Sequence, residues 1–273
     1  FQIEGSNAQR VERYRAALAG FEQSGDTQGQ LLATHRIGHE LQFTDPELSR
    51  TWSGRSLDIA RASGNPHLLA GSLSNYADVV KLTGDYAAAG HLYREAAQLF
   101  AQVGDEENAI WALSHEADLV QLTGHAAQAR EMYLHALERF RAIGYKPGIA
   151  SCLHDLAGLA AAAGDLPEAR RLYRECLHFY SPEDVADLPR VLESLAAVAL
   201  RAQHAARALI LLGAASRLRQ QYQVVTLNPH IRGEVEARVE AARQAAGPDA
   251  PAAWMQGWKM TPEDALHFAG ALE

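Results

Sequence analysis

The sequence has few cysteines, no long apolar run and no excess of positive charge, and each absence excludes a class of protein. Cys152 and Cys176 are its only cysteines, too few for a disulfide framework, so we expect reduced core residues in a cytoplasmic protein. No apolar run approaches the roughly 20 residues that cross a bilayer, and the first residues lack a signal-peptide pattern. Asp and Glu number 33 against 25 Lys and Arg, so direct binding to nucleic acid is not expected.

Sequence motifs that carry chemistry are also missing. Nothing resembles the Gly-x-x-x-x-Gly-Lys-Ser/Thr loop that cradles nucleotide phosphates, so we expect no nucleotide hydrolysis. Ser114 and Ser151 lack the strained turn that exposes a nucleophilic serine. We therefore expect a protein that is not an enzyme and carries no cofactor.

The main feature that is present is an internal repeat of about 40 residues. Glycines recur 39 or 40 residues apart in one register, a second set of glycines lies midway between them, and tyrosines keep the same spacing. The three sets are Gly25, Gly64, Gly104 and Gly144; Gly84, Gly124 and Gly164; and Tyr93, Tyr133 and Tyr173. Agreement between three sets indicates a repeat architecture.

Between these glycines the composition predicts helices. Segments such as 68–82 and 87–103 are rich in Ala, Leu, Glu, Arg and Gln and contain no proline. Each repeat glycine follows such a segment, where a left-handed cap favours a residue without a Cβ. Helix starts are predicted at Asp45-Pro46, Ser181-Pro182 and Thr261-Pro262. Strands are not expected because alternation with period two is absent.

The repeats resemble those of the tetratricopeptide repeat superfamily. The pattern of small, Gly-Asp-Tyr and aromatic positions stands at Asn75-Tyr76-Ala77, Gly84-Asp85-Tyr86, Ala89, Tyr93 and Ala96, and returns in the next two repeats. Because the repeats exceed the usual length of about 34 residues, they are similar to the long-helix variety of maltose-regulator-type transcriptional regulators. The resemblance implies an all-α, right-handed helical-hairpin solenoid of about five tetratricopeptide-like repeats with C-terminal capping helices.

The end of the chain carries a second resemblance. A Leu-Gly-Ala-Ala helix is followed by Trp254, Gly257, Met260-Thr261 and Ala265, similar to the C-terminal helical region of bacterial signal-transduction ATPase and LuxR-type transcriptional regulators. This implies ATPase and DNA-binding domains in a full-length protein. We expect an added or disordered leader over 1–7, the solenoid over 8–222 and capping helices over 223–273. A solenoid needs such a cap to cover its open apolar end.

The repeat also predicts which residues are neighbours along the concave side. The rows are His35, Ser74, Ser114, His154 and Glu193; His39, Asp78, Asp118, Gly158 and Ala197; Gln42, Lys81, Gln121 and Ala161; and Leu32, Gly71, Trp111, Ser151 and Arg190. The predicted ligand-binding residues are His35, His39, Asp78, Lys81, Trp111, Ser114, Asp118, Gln121, His154 and Arg190. We expect the carboxylates of Asp78 and Asp118 to attract cationic groups of a ligand, and Lys81 or Arg190 to bind a carboxylate of the ligand. The alternative is an ordinary solvated helix face.

Three functions compete. The first is a non-catalytic domain that binds a protein, a peptide or a small effector, as the sensor or interaction module of a bacterial transcriptional regulator without direct contact to nucleic acid or membrane. The second is a stand-alone adaptor that binds peptides. The third is a metal-dependent hydrolase that uses the i, i+4 pair His35 and His39 with Asp78. We predict no metal, because a His-Glu-x-x-His arrangement is missing.

Overall fold

The computed structural model describes residues 7–222, 224 and 229–271, and its regular secondary structure is entirely helical in these ranges. The helices are α1 (Asn7–Ser24), α2 (Thr27–Leu41), α3 (Pro46–Ala62), α4 (Pro66–Leu82), α5 (Tyr86–Gln102), α6 (Glu106–Leu122), α7 (Ala126–Ala142), α8 (Lys146–Ala162), α9 (Leu166–Leu177), α10 (Leu188–Arg201), α11 (Ala205–Gln221), α12 (Pro229–Ala246), α13 (Ala250–Trp258) and α14 (Pro262–Gly270). A 3-10 helix, Gly247–Asp249, joins α12 to α13. Within the described ranges, no helix has the length and apolar character required to span a membrane.

The turn between α4 and α5 shows why a Gly-Asp pair ends one helix and starts the next. Gly84 has a φ of 83°, a left-handed conformation that side chains disfavour. The carboxylate of Asp85 then accepts a hydrogen bond from the backbone N–H of Ala88 at 3.1 Å and caps α5. Positive φ recurs at the other predicted positions, Gly25, Gly64, Gly104, Gly124, Gly144 and Gly164, which confirms these helix ends.

Two of the three predicted helix starts are confirmed. Asp45 caps α3, and Thr261 forms a reciprocal capping box with Asp264 at the start of α14. The prediction at Ser181 is wrong, because α10 begins only at Leu188. The carboxylate of Asp184 accepts hydrogen bonds from both the backbone N–H and the Oγ of Ser181, which favours turns over the intervening residues.

The chain divides into two compact units, and the first covers residues 1–132. The consecutive pairs α1–α2, α2–α3, α3–α4, α4–α5 and α5–α6 pack together, and α2 also contacts α4. Small side chains occur where helices approach closely: Ala77 and Ala89 are fully buried in one cluster with Val80, Tyr93 and Leu119. This unit is a stack of helix pairs, as the repeat predicted.

The second unit covers residues 133–273. Helices α8 to α11 pack in sequence, α13 and α14 pack against α11, and α14 also contacts α9. The guanidinium of Arg207 lies 4.6 Å from the ring centroid of Phe268 and donates a hydrogen bond to its carbonyl at 2.8 Å. The C-terminal helices therefore cover α11. The predicted boundaries at 7 and 222 remain predictions, and residues 1–6 lie outside the described residues.

Both cysteines belong to the core of the second unit. Cys152 and Cys176 are thiols and are fully buried. Cys176 Sγ donates a hydrogen bond to the carbonyl of Ala150 at 3.2 Å, and burial raises the pKa of this thiol to about 12. The interpretation of both as core residues is confirmed.

Candidate functional site

In the first unit, the helices that open three successive repeats bring the predicted polar residues together. His35 and His39 lie one turn apart on α2, with ring centroids 6.3 Å apart. Asp78 on α4 is close enough for its negative charge to act on both imidazoles. Burial outweighs that charge and lowers the pKa of His39, and it lowers the pKa of His35 to about 4.

Asp78 is the hydrogen-bonding centre of this surface. Its Oδ1 accepts a hydrogen bond from the Tyr93 hydroxyl at 2.6 Å and lies 3.5 Å from the Nζ of Lys81. Lys81 also lies over the Tyr93 ring, 6.0 Å from its centroid. Burial, followed by the charges of Asp78 and Asp118, raises the pKa of Tyr93 far above its ordinary value. Tyr93 therefore stays a hydrogen-bond donor that links α5 to this surface.

An aromatic pair continues the surface on α6. The Trp111 and His115 rings stack with centroids 6.0 Å apart, and the His115 ring lies 5.4 Å from that of Tyr93. The Nδ1 of His115 is 3.4 Å from a carboxylate oxygen of Asp118. His115 was not among the predicted residues, although its position four residues after Trp111 could have indicated it.

The other two predicted residues of this unit lie elsewhere on α6. Ser114 is only 5% exposed, and its Oγ donates a hydrogen bond to the carbonyl of Ile110 at 3.0 Å. The Ser114 hydroxyl is therefore used within its own helix. Gln121 is exposed, one residue before the end of α6. We refer to His35, His39, Asp78, Lys81, Tyr93, Trp111, His115 and Asp118 as the inner polar surface.

In the second unit, His154 on α8 is held from two sides. Its Nδ1 is 3.2 Å from Asp155 Oδ1, and its Nε2 is 3.0 Å from the Oγ of Ser194 on α10. Its ring meets that of Tyr173 edge-on, with 5.5 Å between the centroids. The hydroxyl of Ser194 therefore takes the neighbouring position that the rows had given to Glu193.

Glu193 and Arg190 occupy different surroundings on α10. Glu193 is 4% exposed, and its carboxylate accepts two hydrogen bonds from the guanidinium of Arg219. The row placed Glu193 beside His154, which is wrong by one residue. The neighbour of His154 on α10 is Ser194, which lies 40 rather than 39 residues later in the chain. Arg190 remains accessible to solvent, hydrogen-bonds Tyr180 and lies near Asp155.

Two buried polar atoms beside the inner polar surface have no hydrogen-bond partner among the described residues. They are the Nε of Arg36 on α2 and the Oγ of Ser74 on α4. Arg36 is not among the predicted site residues. Ser74 is predicted as a neighbour of His35 along the repeats, but not as a ligand-binding residue. Such atoms are uncommon because a buried donor without a partner costs about 1–3 kcal/mol.

A metal centre was the third hypothesis for this region. Within residues 7–222, 224 and 229–271, no three or more His, Cys, Asp or Glu side chains are placed to hold an ion together. His35, His39 and Asp78 are therefore not such a group. Their arrangement offers hydrogen bonds and charge to a ligand instead.

The buried state of His35 predicts a loss of stability in acid. The imidazole has a pKa of about 4 in the folded chain and about 6.5 when unfolded, so the unfolded chain binds the proton more tightly. Stability is then lost as the pH falls from about 6.5 toward 4, with about 2 kcal/mol lost near pH 5. Urea unfolding at about pH 7.5 and pH 5 measures this effect: His35→Gln should lose about 2 kcal/mol less than the native chain, while the contributions of His39 and His154, whose pKa values burial also lowers, remain in both.

The matched control for that experiment is His91→Gln, because His91 is exposed on α5. This variant should keep the pH dependence of the native chain. If His35→Gln and the native chain lost equal stability in acid, the buried neutral state of His35 would be wrong.

Comparison with known proteins agrees with this architecture. A family model for the tetratricopeptide repeat matches residues 68–142 and 108–181. No curated protein sequence matches the chain. Among solved structures, BtubC (BKLC) from P. vanneervenii is 19% identical with a TM-score of 0.62, covering 83% of this chain and 96% of that chain.

Two further structures hold peptides. NprR in complex with its cognate peptide NprX is 14% identical with a TM-score of 0.65, covering 100% of this chain and 85% of that chain. The Rap conjugation gene regulator of plasmid pLS20 in complex with the Phr* peptide is 13% identical with a TM-score of 0.53, covering 90% of this chain and 79% of that chain. At these identities the likeness concerns the fold. The family model, together with the repeat spacing and the capped helix pairs, identifies tetratricopeptide repeats over residues 68–181.

Proposed function

We propose that this chain is a non-catalytic peptide-binding domain that serves as the sensor module of a cytoplasmic bacterial transcriptional regulator. The observation that carries the proposal is the inner polar surface. It joins side chains from α2, α4, α5 and α6, and most of them remain partly exposed. A surface that combines carboxylates, imidazoles, a lysine and a tryptophan offers hydrogen bonds and an aromatic contact to one ligand.

The geometry of stacked helices favours an extended ligand. Packed helices lie about 8–10 Å apart, and an extended chain advances about 3.3 Å per residue. One repeat therefore corresponds to about three residues of an extended peptide. A peptide that contacts α2, α4 and α6 in turn would present every third side chain to equivalent positions.

Structures of similar fold support a peptide ligand and a regulatory role. NprR was solved with its peptide NprX and the Rap conjugation gene regulator with the Phr* peptide. In this chain, a bound peptide would favour one arrangement of the stacked helices over another, because it contacts several of them at once. That bias would pass to the ATPase and DNA-binding parts of a full-length regulator.

The test is selection of peptides from a random library on the full chain, followed by affinity measurements on variants. Trp111→Ala and Asp118→Asn should each weaken binding of a selected peptide at least tenfold, roughly the loss of 1.4 kcal/mol of contact. Fluorescence anisotropy with labelled peptide measures the dissociation constant. Thermal melting shows whether each variant remains folded.

Asp58→Ala is the matched control. Asp58 lies on α3, its side chain is 78% exposed, and its ion pair with Arg61 is a surface pair on the same helix. This variant should bind selected peptides as the native chain does. Selection of no peptide at all, or equal binding by Trp111→Ala, would contradict the proposal.

A further inference from the structure

Three side chains of the second unit, Ser194, His154 and Asp155, are linked in series by hydrogen bonds. The Nε2 of His154 lies 3.0 Å from the Oγ of Ser194, and its Nδ1 lies 3.2 Å from a carboxylate oxygen of Asp155. In this order a base can remove the proton of a hydroxyl nucleophile while a carboxylate orients the base. Peptide binding at the inner polar surface makes no use of this series.

The carboxylate of Asp155 determines which nitrogen of His154 carries the proton. A carboxylate accepts hydrogen bonds and donates none, so Nδ1 carries the proton and donates it to Asp155. In the neutral imidazole Nε2 is then an acceptor, and the Ser194 hydroxyl donates to it. Burial lowers the pKa of His154, so at neutral pH the ring is uncharged and able to take up a proton.

Two further groups lie beside the Ser194 hydroxyl. Tyr173 of α9 shares a hydrogen bond with Ser194, and its hydroxyl is the donor because the Ser194 proton is directed to His154. Arg190 is exposed and stands one turn before Ser194 on α10, and its charge acts on both Tyr173 and His154. A hydroxyl donor and a guanidinium at this place stabilise negative charge that develops on a reacting carbonyl group.

The repeat pattern changes at this place and leaves room next to the series. Gly158 stands where the two preceding repeats carry Asp78 and Asp118. A Cβ built on Gly158 would meet only the Tyr173 hydroxyl, 3.9 Å away. Solvent reaches the same place, because the side chains of His154 and Asp155 are 12% and 25% exposed and Ser194 is half-buried.

We propose that Ser194 is an acylation site that takes an acyl group from a small activated ester or thioester. The Oγ of Ser194 forms a bond to the carbonyl carbon, and its proton moves to the Nε2 of His154. The bond from that carbon to the oxygen or sulfur of the donor breaks, and the alcohol or thiol leaves with the proton. Transfer of one acyl group modifies the chain without turnover, so the proposal goes beyond peptide binding and does not conflict with it.

The direct test is reaction of the full chain with a fluorophosphonate probe and with p-nitrophenyl acetate. Mass spectrometry should find about one label per chain, on the peptide that contains Ser194, and p-nitrophenol should appear in a burst of about one equivalent. Ser194→Ala should abolish both. Ser151→Ala, which removes a half-buried serine of α8, is the matched control and should react as the native chain does. No label, or a label on other residues only, would overturn the proposal.

The roles of the base and of the residue that positions it are tested by rates. His154→Gln should slow labelling at least a hundredfold, because no base remains. Asp155→Asn should slow it at least tenfold, because the tautomer of the imidazole is no longer fixed. Labelling of His154→Gln at the native rate would contradict the proposed step.

The pH profile distinguishes positioning by Asp155 from a merely structural role. In the native chain the labelling rate should fall as the pH drops through the pKa of His154, which lies below 6.5. Arg190 of α10 opposes protonation, Tyr173 of α9 is uncharged, and the hydrogen bond from Asp155 favours it. Asp155→Asn should therefore move the midpoint to lower pH. An unchanged midpoint would show that Asp155 does not act on the base.

A second variant keeps the test sharp if Ser194→Ala melts at a lower temperature than the native chain. Ser194→Cys retains a nucleophile at this place, and iodoacetamide should alkylate it faster than Cys152 and Cys176, which are fully buried. If the introduced thiol were as unreactive as the two buried cysteines, no donor could reach position 194 and the proposal would fail. Either result leaves peptide binding by the first unit to its own test.

Discussion

Replacing Gly257 with alanine is expected to lower the free energy of unfolding by about 3 kcal/mol or more. Gly257 on α13 faces α11, and a Cβ built on it would lie 1.9 Å from the carbonyl oxygen of Ile210 and 2.9 Å from the backbone nitrogen of Ala214. The obstacles are backbone atoms, which cannot rotate away as a side chain does. The helices would have to separate, and the contacts along their crossing would be lost.

Gly213 supports the same conclusion from the other helix. A Cβ there would lie 2.5 Å from the carbonyl oxygen of Trp254 on α13. Each helix therefore presents a glycine to the backbone of the other. Chemical denaturation of Gly257→Ala measures the effect, and the circular dichroism of the variant reports whether the helices persist.

Gly233→Ala is the control for Gly257→Ala. Gly233 lies in α12, and a Cβ built on it meets no atom within 4 Å. This variant should be as stable as the native chain or gain up to about 1 kcal/mol, because alanine favours helix more than glycine does. Equal stability of the two variants would refute the close approach of α11 and α13.

The sequence was sufficient to predict those parts of the fold that depend on interactions between residues close together in the chain. A glycine that ends a helix and an aspartate that caps the next one act within a few residues, and both are visible in pairs such as Gly84-Asp85. Ser181 shows the limit of such reasoning. Its short motif has the residues of a helix start, but side-chain hydrogen bonds from the same residues also stabilise turns, and tertiary packing selects between them.

The site could be predicted only in part. A repeat predicts which residues lie side by side on adjacent helices, but it does not predict which side chains form hydrogen bonds or ion pairs with each other. The spacing predicts His39 and Asp78 as neighbours in one row, and the charge of Asp78 does act on the His39 imidazole. It fails at His154 by one residue, where Ser194 replaces Glu193. That the buried Nε of Arg36 has no hydrogen-bond partner among the described residues could not be predicted, nor could the pairing of Glu40, one turn along α2, with Arg10 of a different helix.

Replacing Glu193 with alanine should destabilise the chain by about 3–5 kcal/mol, far more than an exposed ion pair would. Glu193 is 4% exposed. Its carboxylate accepts hydrogen bonds from the Nε and Nη2 of Arg219 at 2.7 and 2.9 Å. Removal of the carboxylate leaves a guanidinium in a largely buried place without its negative partner. Urea unfolding of the variant gives the loss directly.

A double variant distinguishes the isolated charge from the lost pair. Glu193→Met combined with Arg219→Met removes both charges and keeps apolar volume, so its stability should return to within about 1 kcal/mol of the native chain. Glu168→Ala is the exposed control: its ion pair with Arg171 joins side chains that are 33% and 58% exposed, and its loss should cost less than about 1 kcal/mol. If Glu193→Ala were no more destabilising than Glu168→Ala, the pair between α10 and α11 would not be the buried contact that the structure shows. If instead the double variant stayed as unstable as Glu193→Ala, the hydrogen bonds themselves, rather than the stranded charge, would hold α10 against α11.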